Sequence, residues 1–207
     1  MPRKKRKLSA DFTLHITGRS NNRDHFPIPL SEVWSICEDY LFLVSKGFEI
    51  EILSFVLMPN HFHLIVRDPH LNLIKAMQYF MRETSKEICR ASNRINRIWG
   101  GEYHSTVIDS LEYYFICYRY VYRNPVSANI CRAVTDYPYS TLSMLCGKIG
   151  GAIPLKNDET LMNSPENTLA WLNKAYEGTE QDDIRKSLRR ATMKLPVKRT
   201  SRRRTKL

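Results

Sequence analysis

Hydrophobic and polar residues alternate near the start of the chain in the way expected of a β-strand. Residues 12–17 read Phe-Thr-Leu-His-Ile-Thr, so every second side chain is apolar. Apolar runs at residues 51–57 and 61–67 predict two further strands, and the short Met-Pro-Asn turn between them favours an antiparallel hairpin. Residues 103–108 predict a fourth strand.

Three helices are predicted from apolar residues that recur at intervals of three and four. The first has a plausible N-cap at Ser31 and a stop at Gly47. The second has the clearest periodicity in the chain, with apolar positions from Ile74 to Ile95. The third is rich in aromatic residues and covers residues 111–123, and Pro125 is expected to stop it because proline has no N–H to donate.

The order of these elements predicts an α+β fold. The order is β-α-β-β-α-β followed by a further helix, which is that of the ferredoxin-like arrangement. An antiparallel sheet of this kind carries its helices on one face, with the third helix added to it. We therefore expect a catalytic domain over residues 10–147, preceded by a basic tail over residues 1–9.

The rest of the chain is predicted to be a small helical extension. A cap, a proline and an acid at residues 164–166 predict a helix that ends at Gly178, and a last helix is predicted over about residues 180–194. We therefore expect the extension to cover residues 148–195 and a second basic tail to cover residues 196–207. The sequence does not indicate what residues 148–207 bind.

Positive charge is concentrated in the two tails. Five basic residues lie within the first seven positions and seven lie within residues 194–207, with no acidic residue in either segment. Removing these twelve charges from the formal net charge of +11 leaves the rest of the chain near −1. A polyanionic partner is therefore expected, and the tails would add affinity without selectivity. The first run also has the composition of a nuclear-import signal, a reading that we favour less.

The cysteines and the hydropathy indicate a cytoplasmic protein. The five cysteines are odd in number and contain no C-x-x-C pair, which argues against a disulfide framework and against a thiolate zinc site. No apolar run approaches the roughly 20 residues that span a bilayer, and no signal peptide is visible. We expect a cytoplasmic protein, associated with a bacterial nucleoid and not with a membrane.

Four residues could bind a metal ion and react with a phosphodiester. His61 and His63 lie two apart on a predicted strand, so both imidazoles project from one face. Tyr120 and Asn124 lie four apart on a predicted helix and also share a face. An amide oxygen added to two imidazoles would suit Mg²⁺ or Mn²⁺. The alternatives are a chance histidine pair and a tyrosine that belongs to the core.

Two segments resemble the signature blocks of the HUH single-tyrosine transposases, in the branch of the REP-associated tyrosine transposases (RAYT). These are Val-Leu-Met-Pro-Asn-His-Phe-His-Leu-Ile-Val at residues 56–66 and Tyr-Val-Tyr-Arg-Asn-Pro-Val-Ser-Ala at residues 120–128. Residues 14–23 and 137–142 support the resemblance more weakly. In one respect the chain departs from the family pattern, because Gly18 precedes the early arginine and the Asn-Asn pair follows only after a serine.

The resemblance implies a reaction and a set of site residues. His61, His63 and Asn124 would bind the divalent metal, and Tyr120 would attack single-stranded DNA beside a REP-type hairpin. The products would be a 5′-phosphotyrosine and a free 3′-hydroxyl, so that strands are cleaved and rejoined without a nucleotide cofactor.

Candidate DNA-binding residues fall in four groups. One group is the loop after the first strand, and a second is a set of basic residues spaced four apart on the long helix, for which a solvated surface is an equally good interpretation. The third is a single arginine beside the metal-binding amide, and the fourth is the N-terminal tail. In that order the residues are Arg19, Asn21, Asn22 and Arg23; Arg82, Lys86, Arg90 and Arg94; Arg123; and Arg3, Lys4, Lys5 and Arg6.

Two other functions fit the same residues. A domesticated relative could hold hairpin DNA without cutting it, and a hydrolytic metal nuclease could use the histidines with an activated water and no tyrosine. Only the transposase hypothesis requires a covalent protein–DNA adduct. The target tetranucleotide, the hairpin and the choice between monomer and homodimer are left open by the sequence.

Overall fold

Four strands form one antiparallel sheet at the centre of the computed structural model, which describes residues 7–156, 160 and 163–196. The order in the sheet is β2-β3-β1-β4. The strands are β1 (Thr13–Arg19), β2 (Glu51–Met58), β3 (His61–Arg67) and β4 (His104–Ile108). The predicted ferredoxin-like order and the β2–β3 hairpin are confirmed.

Two helices cover one face of the sheet. They are α1 (Leu30–Phe48) and α2 (Leu73–Ser92), and they pack against each other and on apolar strand residues such as Leu14, Ile16 and Phe62. Gly18 lies in the same layer: a Cβ added to it would lie 2.5 Å from the ring of Phe62. The glycine that departs from the family pattern therefore allows a close approach between β1 and a core aromatic residue.

A third helix, α3 (Leu111–Ser127), covers the opposite face of the sheet. Ser110 caps it, because its hydroxyl accepts a hydrogen bond from the backbone N–H of Tyr113. Pro125 does not end this helix, contrary to the prediction. A proline in the last turn gives up only one helical hydrogen bond, and the backbone N–H of Ile130 still donates to the Pro125 carbonyl at 2.9 Å.

The ends of the other two long helices also differ from the prediction. Helix α1 begins at Leu30 after Pro29 and runs past Gly47 to Phe48, where Glu49 adopts a left-handed conformation. Helix α2 ends at Ser92, because Asn93 takes the left-handed conformation with a φ of 52°. The predicted last turn of α2 is therefore absent, and Ile95 is fully exposed.

The C-terminal part packs on α3 and on the edge of the sheet. It contains a short helix α4 (Thr141–Leu145), then α5 (Pro165–Asn173) and α6 (Glu180–Ser187). Leu172, Ile184, Leu188 and Met193 are buried in the same apolar cluster as α3. Both later helices end earlier than predicted, at Asn173 and Ser187.

An extended segment follows α6 and pairs with the edge strand β4. The backbone N–H of Val107 donates to the Ala191 carbonyl at 2.9 Å, and that of Met193 donates to the Val107 carbonyl at 2.9 Å. These bonds place residues 191–193 beside β4 where a longer last helix was predicted. No helix in the described part of the chain is long and apolar enough to cross a bilayer.

Candidate active site

The antiparallel register of β1 and β3 brings three histidines together on the face covered by α3. Thr17 lies opposite His63, and Arg19 lies opposite His61. Because alternate residues of a strand share a face, His15 joins the same row. All five side chains line one cavity of about 380 Å³.

Helix α3 supplies the other two candidate residues to this cavity. Tyr120 and Asn124 both line it, one helical turn apart. The Tyr120 ring meets the His63 ring edge-on, with 5.6 Å between the ring centroids, and Tyr120 is only 5% exposed. The structure therefore places His61, His63, Tyr120 and Asn124 around a common space, although they come from distant parts of the chain.

Asn60 determines which nitrogen of His61 carries the proton. The side-chain amide nitrogen of Asn60 donates to the Arg23 carbonyl at 2.7 Å, so its amide oxygen is the atom that faces His61. That oxygen lies 2.7 Å from His61 Nδ1 and can only accept a hydrogen bond. His61 Nδ1 must therefore carry the proton, and Nε2 presents a lone pair.

His15 is the hydrogen-bond partner of His63. Their Nε2 and Nδ1 atoms lie 2.9 Å apart, and His63 Nε2 is buried without a protein hydrogen-bond partner. When His63 donates from Nδ1 to His15, His63 Nε2 is left as a second lone pair. A buried polar atom without a partner is rare in proteins, and a metal ion would satisfy this one.

All three histidines are held neutral, which is the form that binds metal. Burial, reinforced by Arg19 and Arg185, lowers the pKa of His61 to about 4. Burial, reinforced by His104, lowers the pKa of His15 to about 3. Burial also holds the pKa of His63 well below its ordinary value, with the neighbouring His61 acting in the same direction.

The donor atoms fit a divalent ion such as Mg²⁺ or Mn²⁺. The amide nitrogen of Asn124 donates to the Tyr120 carbonyl at 2.7 Å, which leaves the amide oxygen free to bind a hard cation. No group of three or more His, Cys, Asp or Glu residues that could hold a metal occurs among the described residues. The third donor here is an amide, so the site combines two imidazole nitrogens and one oxygen.

Helix α6 and the turn that follows it each contribute one arginine to the cavity, and the sequence did not single out either as a site residue. Arg185 and Arg189 line it, together with Arg19 and Arg23. Burial raises the pKa of the Tyr120 phenol, whereas a side-chain hydrogen bond from Arg185 acts in the opposite direction. The cavity thus combines a buried phenol with a strongly positive lining.

The loop after β1, which contains predicted DNA-binding residues, lies next to the cavity. Asn21 and Asn22 line a cleft of about 380 Å³ together with Arg19, Arg23, Gly100 and Gly101. The two arginines line both the cleft and the cavity. The polar loop residues are therefore continuous with the candidate active site.

The basic residues of α2 lie away from the cavity. Arg82 and Lys86 line a separate groove and both pair with Glu83, and Arg90 pairs with Glu87. Arg94 lies beyond the end of α2 and does not extend the predicted row. Only three of the four basic residues thus share the helix, and acidic neighbours partly neutralise them. Arg3, Lys4, Lys5 and Arg6 lie outside the described residues.

Arg123 is buried and has a structural position, which corrects its assignment as a DNA contact. It is only 8% exposed, and its guanidinium donates to the carbonyls of Leu172, at 3.1 Å, and Asn173. These carbonyls end α5, where a positive charge is favourable. The arginine holds α5 against α3.

The comparisons with known proteins agree with this fold. Residues 9–124, more than half of the chain, match the family model described as IS200-like transposase. The fold is similar to that of a REP-associated tyrosine transposase bound to a REP hairpin, with a TM-score of 0.58 and 20% identity over 76% of this chain and 93% of that one. A transposase candidate from Deinococcus radiodurans has a TM-score of 0.38 and 14% identity over 51% and 84%. No curated protein matches the chain. The family resemblance of the two sequence blocks is confirmed, and the chain belongs to the IS200-like transposase family.

Proposed function

We propose that this protein cleaves and rejoins single-stranded DNA beside hairpins of the REP type, with Tyr120 as the nucleophile. The observation that carries the proposal is the cavity in which Tyr120 lies with two neutral imidazoles and a free amide oxygen. Hairpin DNA is the partner favoured by the similarity to a REP-associated transposase bound to a REP hairpin.

The reaction is a transesterification in which the number of phosphoester bonds is conserved. A bond forms between the Tyr120 phenol oxygen and phosphorus, and the bond from phosphorus to the 3′ oxygen breaks. The phenol proton is lost to solvent, and the 3′ oxygen takes up a proton to become a hydroxyl. The reverse attack by that or another 3′-hydroxyl rejoins the strand, so no nucleotide cofactor is needed.

The protein's own residues prepare this step. The His63 ring packs edge-on against the Tyr120 ring, which orients the phenol, and Arg185 lines the same cavity. His61, His63 and Asn124 would hold Mg²⁺ or Mn²⁺, which acts as a Lewis acid on the phosphate. Asn60 holds His61 in the tautomer that binding requires, and His15 accepts from His63 Nδ1 when His63 is in the corresponding tautomer.

The dimensions of the cavity favour a single strand. The space is about 380 Å³, between the sheet, α3 and α6. A phosphodiester within a duplex cannot enter such a space without being separated from its partner strand. An unpaired strand at the foot of a hairpin meets this requirement.

The test is the formation of a covalent adduct. The protein is incubated with end-labelled hairpin DNA bearing a single-stranded flank, with Mn²⁺ or Mg²⁺, and resolved on a denaturing gel. Label on the protein is expected, and Tyr120→Phe should abolish it. Tyr113→Phe is the matched control, because Tyr113 is a half-buried tyrosine of α3 outside the cavity lining.

The same experiment separates the two alternative functions. A non-catalytic hairpin-binding protein would shift the DNA on a native gel and give neither adduct nor cleavage. A hydrolytic nuclease would cut the strand in the Tyr120→Phe variant. Either result would refute the nucleophilic role of Tyr120.

A further inference from the structure

We infer that Arg185 of α6 and Arg189, two residues after the end of that helix, form a phosphate-binding site that holds the reacting DNA backbone at Tyr120. The inference rests on the proposed function for the identity of the phosphate. It assigns a role in the active site to the C-terminal extension, which lies outside the residues matched by the family model.

The first support is the charge of the cavity lining. Four arginines line the cavity, namely Arg19, Arg23, Arg185 and Arg189, and no carboxylate does. Burial is the main cause that lowers the pKa of Arg19, and repulsion from Arg23, Arg189 and Arg185 acts in the same direction. Like charges gathered without an acid in the lining are stabilised by a bound anion, and the guanidinium fork matches phosphate oxygens.

The second support is that Arg185 is not neutralised elsewhere. Its nearest acid is Asp182, one turn earlier on α6, with 3.8 Å between the charged atoms, and the side chain is 52% exposed. Exposed pairs of this kind contribute little. Within the described part of the chain, Arg189 has no salt bridge. Both guanidiniums are therefore free to bind an anion in the cavity.

The third support is the firm attachment of α6. Ile184 and Leu188 are 2% and 4% exposed, in the apolar cluster beneath α3. The Thr106 hydroxyl of β4 lies 2.8 Å from the Leu188 carbonyl and 2.9 Å from the Arg190 carbonyl, so it holds the backbone on both sides of Arg189. A segment anchored in this way can position a charge for catalysis, which a loose tail cannot.

Arg185 also lies beside the attacking residue. It lines the same cavity as Tyr120 and, against the effect of burial, acts to lower the pKa of the phenol, so its guanidinium is placed to reach a non-bridging oxygen of a phosphate attached to that phenol. We expect Arg185 to act on the reacting phosphate and Arg189 to hold the backbone beside it. The C-terminal extension would then complete an active site whose candidate metal-binding and nucleophilic residues come from β3 and α3.

The first test measures DNA binding without chemistry. Affinity of the full-length protein for single-stranded hairpin DNA is measured in EDTA over a range of salt concentrations. Each phosphate contact to a single strand contributes about −0.7 to the slope of log K against log salt. Arg185→Ala and Arg189→Ala should each make the slope less negative by about 0.7. Lys186→Ala, the loss of one exposed charge on the same helix outside the cavity lining, should leave it unchanged.

The second test measures the reaction. At saturating DNA with Mn²⁺, Arg185→Ala should slow adduct formation by about a hundredfold, and added guanidinium ion should restore part of the rate. Guanidinium ion would not restore the rate if Arg185 only stabilised the fold. Equal thermal unfolding temperatures of the variant and the wild-type protein show that the fold is retained.

Two results would overturn the inference. One is a salt dependence of DNA binding by both arginine variants equal to that of Lys186→Ala, and the other is adduct formation by Arg185→Ala at or above the wild-type rate. The proposed function is tested separately. The wild-type protein could form no adduct while both arginine variants show a weaker salt dependence of DNA binding. In that case the transesterase proposal fails and the phosphate-binding site stands.

Discussion

Substitution of Asn60 by alanine tests the role of the His61 tautomer in the proposed metal site, because the Asn60 side chain accepts the hydrogen bond that fixes this tautomer. In the structure its amide bridges the Arg23 carbonyl and His61 Nδ1, with both distances at 2.7 Å. Alanine removes the acceptor that fixes the Nδ1–H tautomer. Loss of such a partner of a metal-binding histidine lowers metal affinity or activity by about 10- to 100-fold.

The matched variant is Asn60→Asp, which keeps an acceptor at His61 but loses the donor to Arg23. We expect Asn60→Ala to raise the Mn²⁺ concentration for half-maximal adduct formation by about 10-fold or more, and Asn60→Asp to recover most of the loss. Calorimetric titration with Mn²⁺ gives an independent affinity. Equal Mn²⁺ affinities for the alanine variant and the wild-type protein would refute the reasoning.

Three further predictions concern the fold and pH. Gly18→Ala should lower the free energy of unfolding by about 1–3 kcal/mol in urea, because its Cβ would lie 2.5 Å from Phe62, and Phe62→Leu should recover part of that loss. Arg123→Met should also lower the free energy of unfolding by about 1–3 kcal/mol, because two carbonyls of α5 lose their hydrogen bonds, and DNA affinity should not change. Weaker DNA binding at equal stability would contradict the structural role of Arg123. Burial lowers the pKa of His61 in the folded protein to about 4, below its value in the unfolded chain. The unfolded state therefore binds a proton at His61 more readily than the folded state does. Stability should therefore fall as pH drops from about 6.5 towards 4, and His61→Gln should flatten that slope in urea unfolding.

The element order and the four central site residues could be predicted from the sequence because they depend on local periodicity. Two-residue spacing put His61 and His63 on one strand face, and four-residue spacing put Tyr120 and Asn124 on one helix face. The resemblance then linked the two pairs. Their common cavity follows from the packing of α3 on the sheet, which local spacing does not contain.

The remaining site residues depend on long-range packing. His15 looked like a polar position of an amphipathic strand, and only its place in the row with Thr17 brings it to His63. Arg185 and Arg189 belonged to a basic helix whose docking site no local pattern reveals. Conversely, Arg123 seemed well placed beside Asn124, but one step around a helix turns a side chain by about 100°, and this one points to α5.

The central claim is tested most directly by locating the covalent bond between protein and DNA. The wild-type protein is incubated with hairpin DNA and Mn²⁺, digested with protease and nuclease, and analysed by tandem mass spectrometry. The account predicts a nucleotide attached through its 5′ phosphate to Tyr120, and to no other residue. A nucleotide on a different side chain, or a cut strand with no modified peptide, would contradict it.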